Sequence, residues 1–387
     1  MSSGIRSPNR HPRRLADHHR LLSTSNDVET RVKAVRISLT KLQETTAGSL
    51  VGSVLLAQVR TERSRYSKGT VLDEAMATDI RDAAVAGALG QPLSLAWPGP
   101  GDLHEDEAAR RLARAVAGPG IIIGRIHQSR IDLLAEADGV LQVRTDVLEA
   151  VNTIDPLEVF TLFDGQAVAE GQSVAGVKVA PHLVDAGAIE RGESLAGDEG
   201  LVVLRRYQRI RVAAVAAHPE DAAELDRFAA AADLRVTALC GTLDGTFSTA
   251  ADDPDSAADE LQRILEDTLG RGVSVFLVGG VSAGDPLAPF FTALERLDGR
   301  IIRRGAPAHP GSMVWLAVVR DAVILGLPRC GMFSMATAAD MIFPRLMAGE
   351  HPTPATLAGL GHGGLLQADM RFRLPPYARA LSVDLEG

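Results

Sequence analysis

The spacing of apolar and polar positions changes character along this chain, and each change marks a boundary. From about Arg31 to Ala117, the strand-like runs VKAVRISL and GSLVGSVLLAQVR precede KGTVLDEAMATDIRDAAVAG, which moves from a turn into a helical period. The next run, DLHEDEAARRLARAVAG, puts acids early and arginines late before a glycine, the charge order that a helix dipole favours. Together these predict a small α+β region over residues 29–118. Between Gly120 and Val184 short β-type runs take over, IIIGRI, IDLLAEADGVLQV and LEVFTLF, divided by the turn dipeptides Asp138-Gly139 and Asp164-Gly165. They predict a β-rich subdomain over 119–187. The stretch VDAGAIERGESLAGDEG, rich in glycine and acids, reads as the boundary that follows.

After Arg209 the period alternates: RVAAVAA as a strand, PEDAAELDRFAAAA as a helix, LRVTAL as a strand, SAADELQRILEDTL as a helix and VSVFLVGG as a strand. The predicted fold class is therefore α/β: a three-layer α/β/α sandwich with a mostly parallel sheet over residues 205–350, preceded by a β-rich α+β region and followed by a C-terminal extension, 351–387. A parallel strand covered on both faces reads as an unbroken apolar run, and ligands of open α/β sheets bind at the carboxyl ends of such strands. VSVFLVGG runs into VSAGDP at that end. Gly279, Gly280 and Gly284 let the backbone come close to a ligand and take positive φ, while Asp285-Pro286 reads as an N-cap followed by proline at the first helical position. Outward amides at a helix start suit a phosphate or other oxyanion; a helix cap with a tight turn and no ligand fits the same residues.

Composition narrows the classes. With 387 residues the chain is too long for one ordinary core. Apolar residues at 46% and charged residues at 23% are average usage, but aromatics at 4% leave the core to Ala, Val, Leu and Ile. A formal charge of -9 gives no overall attraction to DNA or to an anionic membrane, and no apolar run is long enough to span a bilayer. Cys240 and Cys330 lie far apart with no C-x-x-C, which signals neither a zinc site nor a disulfide framework and suits a reducing cytoplasm. Residues 1–28 read as a disordered basic arm, with five arginines against one acid before Asn26. Such an arm can bind nucleic acid, and His11, His18 and His19 can hold a metal, but a solvated tail accounts for the composition.

Two more strand ends carry glycine and proline. RIIRRGAPAHPGSM ends in Pro310-Gly311-Ser312, and AVILGLPRCGMFS ends in Leu327-Pro328-Arg329-Cys330-Gly331. With GGVSAGDP ahead of them, these motifs resemble, in order, those of the molybdopterin-binding domain shared by molybdopterin molybdenumtransferases and molybdopterin adenylyltransferases: T-G-G-x-S-x-G-D, P-G-K-P and G-L-P-G-N-P. The resemblance spans roughly Arg209 to Gly349. The chain departs from the pattern where Ser312 replaces the lysine, where Arg329-Cys330-Gly331 replaces G-N-P, and where Ala217-His218-Pro219-Glu220 replaces T-G-x-E. The molybdenumtransferases' acidic S-A-M-D-G-Y-A segment has no counterpart.

The resemblance implies a divergent member of molybdenum cofactor biosynthesis with the molybdopterin-binding fold, whose ligand is molybdopterin or its adenylylated form. Amides from Gly279 to Gly284 and the Ser282 hydroxyl would take the phosphate, and Arg329 a second anionic oxygen. Pro310, Gly311, Ser312, Pro328 and Cys330 would line the same site. Two roles stay open for Asp285: helix cap, or ligand of Mg²⁺ beside the phosphates in a transferase that takes molybdate. Cys330 is either a thiolate near a helix start or an inert thiol, and His309 either a proton carrier or an ordinary loop residue. Earlier in the chain Arg130, Asp132, Asn152 and Lys178 are either ligand contacts or hairpin-edge residues. Two functions follow: a transferase of cofactor assembly, or a non-catalytic carrier or sensor that passes molybdopterin to a partner enzyme. The missing acidic segment favours the carrier unless Asp132, Glu136 or Asp138 of a neighbouring domain or subunit supplies the acids.

Overall fold

A computed structural model describes residues 33–127 and 129–379. The basic arm and its histidines lie outside the described residues. The chain divides into two compact units at Pro100/Gly101. In the first, an antiparallel sheet places Leu93–Trp97 between Lys33–Ile37 and Val54–Leu55. Helix Glu74–Val85 starts at Asp73, whose side chain accepts the Met76 N–H, and it buries Ala77 and Ile80 against Leu42, Leu55 and Leu95.

The second unit begins with the β-rich part. An antiparallel sheet runs in the order Leu157–Thr161, Ser173–Val179, Arg130–Ala135 and Ile121–His127. A second sheet sets Gly139–Val143 between Ala167–Val168 and Val202–Arg206. The stretch read as a boundary is instead a helix, Ala186–Ala196, which buries Ala188, Ile189, Gly192 and Ala196. Its glycines and acids mask a helical apolar stripe that packs with helix Glu105–Val116 over Leu133, Val177 and Leu201.

The α/β part follows, and its elements are numbered here from its first strand. Strands β1 (Arg211–Ala216), β2 (Thr242–Ser248), β3 (Val275–Gly279), β4 (Arg300–Arg304), β5 (Trp315–Val319) and β6 (Ala322–Gly326) form one sheet in the order β2-β1-β3-β6-β5-β4. β1 pairs in parallel with β2 and β3, and β3 with β6, whereas β5 is antiparallel to both neighbours. Helices α1 (Ala222–Ala238), α2 (Pro254–Gly270), α3 (Pro289–Arg296) and α4 (Ala339–Met347) cover it. Val212, Ala214 and Ala216 pack with Phe228 of α1 and Phe343 of α4; Ala213 and Val215, on the other face, pack with Leu261 of α2 and Phe290 of α3. Strict alternation of sides in a strand apolar from Val212 to Ala216 is the signature of a sheet buried on both faces.

LRVTAL, predicted as a strand, is the last turn of α1 and its cap. The Asp221 side chain caps α1 by accepting the Glu224 N–H, and the helix runs through an alanine-rich stretch without a breaker; the parallel strand starts only beyond Cys240 and Gly241. Among the described residues no helix is long and apolar enough to cross a membrane.

Candidate functional site

Chain order and sheet order diverge at β1, since β2 lies on one side of it and β3 on the other. That divergence makes the carboxyl ends of β1 and β3 the switch point of the sheet, the place where open α/β sheets take ligands. The Ala217 N–H donates to Gly279 O at 3.0 Å and the Leu327 N–H to Val278 O at 2.7 Å, which brings the loops after β1, β3 and β6 to one edge.

The β3 loop is fixed from beneath and open above. The buried Trp315 indole Nε1–H donates to Val281 O at 3.0 Å, and its ring lies over Gly326, where no Cβ would fit. Gly280 has φ +78. The Gly284 N–H donates to Ser282 Oγ at 3.2 Å, and the Asp285 N–H to Ser282 O at 3.2 Å. Among the described residues no acceptor engages the amides of Gly280, Val281, Ser282 or Ala283. Gly280, Ser282, Gly284 and Asp285 are exposed, while Val281 and Ala283 turn inward.

Asp285 differs from the predicted N-cap. α3 starts at Pro289 with Ala288 as its N-cap, and Asp285 Oδ1 instead accepts the Leu287 N–H at 3.0 Å, a local turn ahead of the helix. The sequence offers two prolines, and the helix takes Pro289 as its first residue rather than Pro286. No group of three His, Cys, Asp or Glu side chains that could hold a metal occurs among the described residues.

Two further loops reach this edge. Gly311, at φ +96, lies where a Cβ would strike Thr337, and Pro310 O accepts the Ala338 N–H at 2.9 Å, so Pro310–Ser312 is set against the start of α4. From there the Met313 methyl lies beside Gly284. In the β6 loop, Met332 is buried directly against Gly279, while Cys330 is half-buried and free. Arg329 points to the β1 loop, with Nη2 2.5 Å from Glu220 Oε1 and Nη1 3.5 Å from Glu224 Oε1. Its charge is thus already engaged, in a largely exposed pair.

No family model matches the chain, and no curated protein matches it. Among solved structures it is similar to the molybdopterin biosynthesis moea protein from Pyrococcus horikosii, at 15% identity over 64% of this chain and 79% of that one, with a TM-score of 0.27. It is also similar to a molybdopterin biosynthesis protein from Mycobacterium abscessus, at 14% identity over 36% of this chain and 92% of that one, again with a TM-score of 0.27. The similarity is distant and gives no residue a role.

Other residues singled out in the sequence are held elsewhere. Asp132 pairs with Arg130 at 2.6 Å, Glu136 with Arg206 at 2.7 Å, and Asp138 Oδ1 accepts the Glu170 N–H at 2.8 Å. The Asn152 amide donates to Val159 O and accepts the Val159 N–H, both at 2.8 Å, so it joins a helix end to a strand. His309 is part of a bridge to Leu365 through its backbone.

The sequence reading missed the support beneath the β6 loop. Arg235 of α1 donates from Nη2 to Gly331 O at 2.9 Å and from Nη1 to Phe333 O at 3.2 Å, and its Nε pairs with Asp340. Tyr377 donates to the same carboxylate at 3.0 Å; burial and that carboxylate push its phenol well above the usual value. The available signal was Asp340 itself, the lone acid in ADMIFPRLM, an otherwise apolar helix apart from Arg345.

Proposed function

We propose that the α/β part binds molybdopterin, or its adenylylated form, by the phosphate, and that the protein serves molybdenum cofactor assembly on a molybdopterin-binding fold. The observation that carries this reading is the run of unengaged amides, Gly280 to Ala283, at the switch point of the sheet. A phosphate there would meet backbone N–H groups that no protein acceptor already holds, the kind of donor that backbone anion sites use. Ser282 adds a hydroxyl, and the order of the three strand-end motifs matches the pattern that molybdopterin-binding domains carry. Gly279 and Gly284 keep the loop thin, and Pro310, Gly311, Ser312, Pro328 and Cys330 supply its neighbours. Were Mg²⁺ present, Asp285 would offer its second carboxylate oxygen and the ligand's phosphates the rest of the shell, with molybdate as the substrate of a transferase.

A second reading, a non-catalytic carrier or sensor that delivers the cofactor to a partner molybdoenzyme, is favoured by the Arg329 pair. With Glu220 and Glu224 on its guanidinium and Ser312 in the lysine position, these loops keep little uncompensated positive charge to stabilise an anion that develops during a transfer step.

Titration of molybdopterin against wild type and Gly280→Val, followed by intrinsic fluorescence, tests the shared core of both readings. The β-branched side chain would block backbone approach and should weaken binding at least about tenfold, roughly 1.4 kcal/mol. Equal affinities in a folded variant would remove the loop from the site.

A further inference from the structure

A cavity of about 840 Å³ lies away from these loops. Its walls come from the β-rich part and from the segments around α4 and beyond it, all within the second unit. Val143, Leu148, Phe163, Leu201, Val203 and Leu360 give it apolar sides. Two buried arginines line it, and they differ in one respect. Arg345 has its counter-charges in place, with Nη2 2.8 Å from Asp164 and Nη1 2.8 Å from Glu350, and those carboxylates hold its pKa up against burial.

Arg373 has none. It is 7% exposed, and its Nη1 donates to Gly363 O, a carbonyl without net charge. Its guanidinium carbon lies 4.2 Å from the centroid of the Phe163 ring, Nε meets no acceptor, and no carboxylate pairs with it among the described residues. Burial alone pushes its pKa down. A desolvated cation without an anion is costly, and one aromatic face offsets only part of that cost. Its position on an open cavity whose walls are part apolar and part charged, with Glu149 and Glu199 as well as the Asp164 and Glu350 that Arg345 engages, therefore has a chemical meaning. We propose that this cavity is a second ligand site, for a small organic anion: a phosphate monoester or carboxylate paired with Arg373, its flat apolar body lying against Phe163, Leu148 and Leu360. The volume suits a ligand of mononucleotide size or smaller.

Calorimetric titration of the full chain with phenyl phosphate, with inorganic phosphate in parallel, tests this. Wild type should bind phenyl phosphate saturably and at least tenfold more tightly than inorganic phosphate. Arg373→Gln should lose at least tenfold, and Arg373→Lys should recover part of that loss. Because Arg373 also ties down Gly363, Leu148→Trp gives a second route: it fills the cavity from another lining position and should abolish binding with Arg373 intact. Gly280→Val should leave the tighter, Arg373-dependent binding in place and remove only a weaker component that inorganic phosphate shares. Binding lost in Gly280→Val but kept in Arg373→Gln would place the anion on the strand-end loops and overturn the proposal, as would absence of saturable binding or equal affinities in wild type, Arg373→Gln and Leu148→Trp.

Discussion

Arg235 Nε lies 3.0 Å from Asp340 Oδ1, and both side chains are buried beneath the loop that carries Arg329 and Cys330. The pair is 105 residues apart in the chain, yet its members satisfy one another and the loop at once: Asp340 Oδ2 accepts the Thr337 N–H at 2.9 Å, while the guanidinium takes the carbonyls of Gly331 and Phe333. A buried pair that also hydrogen-bonds backbone fixes geometry more than it adds net stability.

Breaking it from one side should nevertheless be severe. Asp340→Asn keeps the shape but leaves the Arg235 charge uncompensated, for an expected loss of about 3–5 kcal/mol. Urea unfolding of the two proteins measures it, and a loss below about 1 kcal/mol would mean that the interior around Arg235 is wet.

Asp285→Asn separates a metal role from a structural one. Its Oδ1 contact with the Leu287 N–H can be kept by an amide oxygen, so the loop should stay folded and bind the pterin, whereas metal affinity should fall. With adenylylated molybdopterin, molybdate and Mg²⁺, AMP release by wild type and not by the variant is the expected outcome for a transferase. No release by wild type, with tight binding in both, would leave the carrier.

Glu220→Gln should weaken the hold on Arg329. Because that pair is exposed, stability should change by less than about 1 kcal/mol. Affinity for the pterin phosphate should rise a few-fold at low salt and less at high salt, as titrations at two ionic strengths would show. Unchanged affinity at both would put Arg329 outside the anion's reach.

A pH dependence follows from Asp244 at the start of β2. Arg211, and then Arg271 at 2.8 Å, hold its carboxyl below the usual aspartate range. A depressed folded pKa contributes stability that is present above the unfolded value, about 3.9, and is lost as pH falls through the folded one. Melting temperatures from pH 6 down to pH 3 should therefore fall less in Asp244→Asn, which starts lower, than in wild type; parallel curves would contradict it.

Much of this fold was legible because single strands declare their burial. VSVFLVGG reads as a two-sided parallel strand, and the structure pairs Val275–Gly279 in parallel on both sides and buries both of its faces. LRVTAL misled because Arg235 sits in it where an alternating strand would place a surface charge; only Asp340 makes that arginine an interior residue, and no local window contains both. The Ala186–Ala196 helix was hidden for a related reason, since its small buried residues are read as turn-formers until a partner helix covers them. Asp285 was read as a cap because Asp-Pro is a helix-start signal; the chain spends another short turn before Pro289. The cavity beside Arg373 draws on residues from 142 to 373, and no motif records a space.

The reversal of β5 divides the sheet into two ends with separate uses. β4 finishes and β5 begins at the edge that carries the strand-end loops, so the long connection Gly305–Val314 lies there, while the tight turn of Arg320 and Asp321 falls at the opposite edge, exposed on both residues. A fluorophore or affinity handle placed at that turn would report on the integrity of the sheet from its far edge, leaving the strand-end loops untouched for whatever binds there.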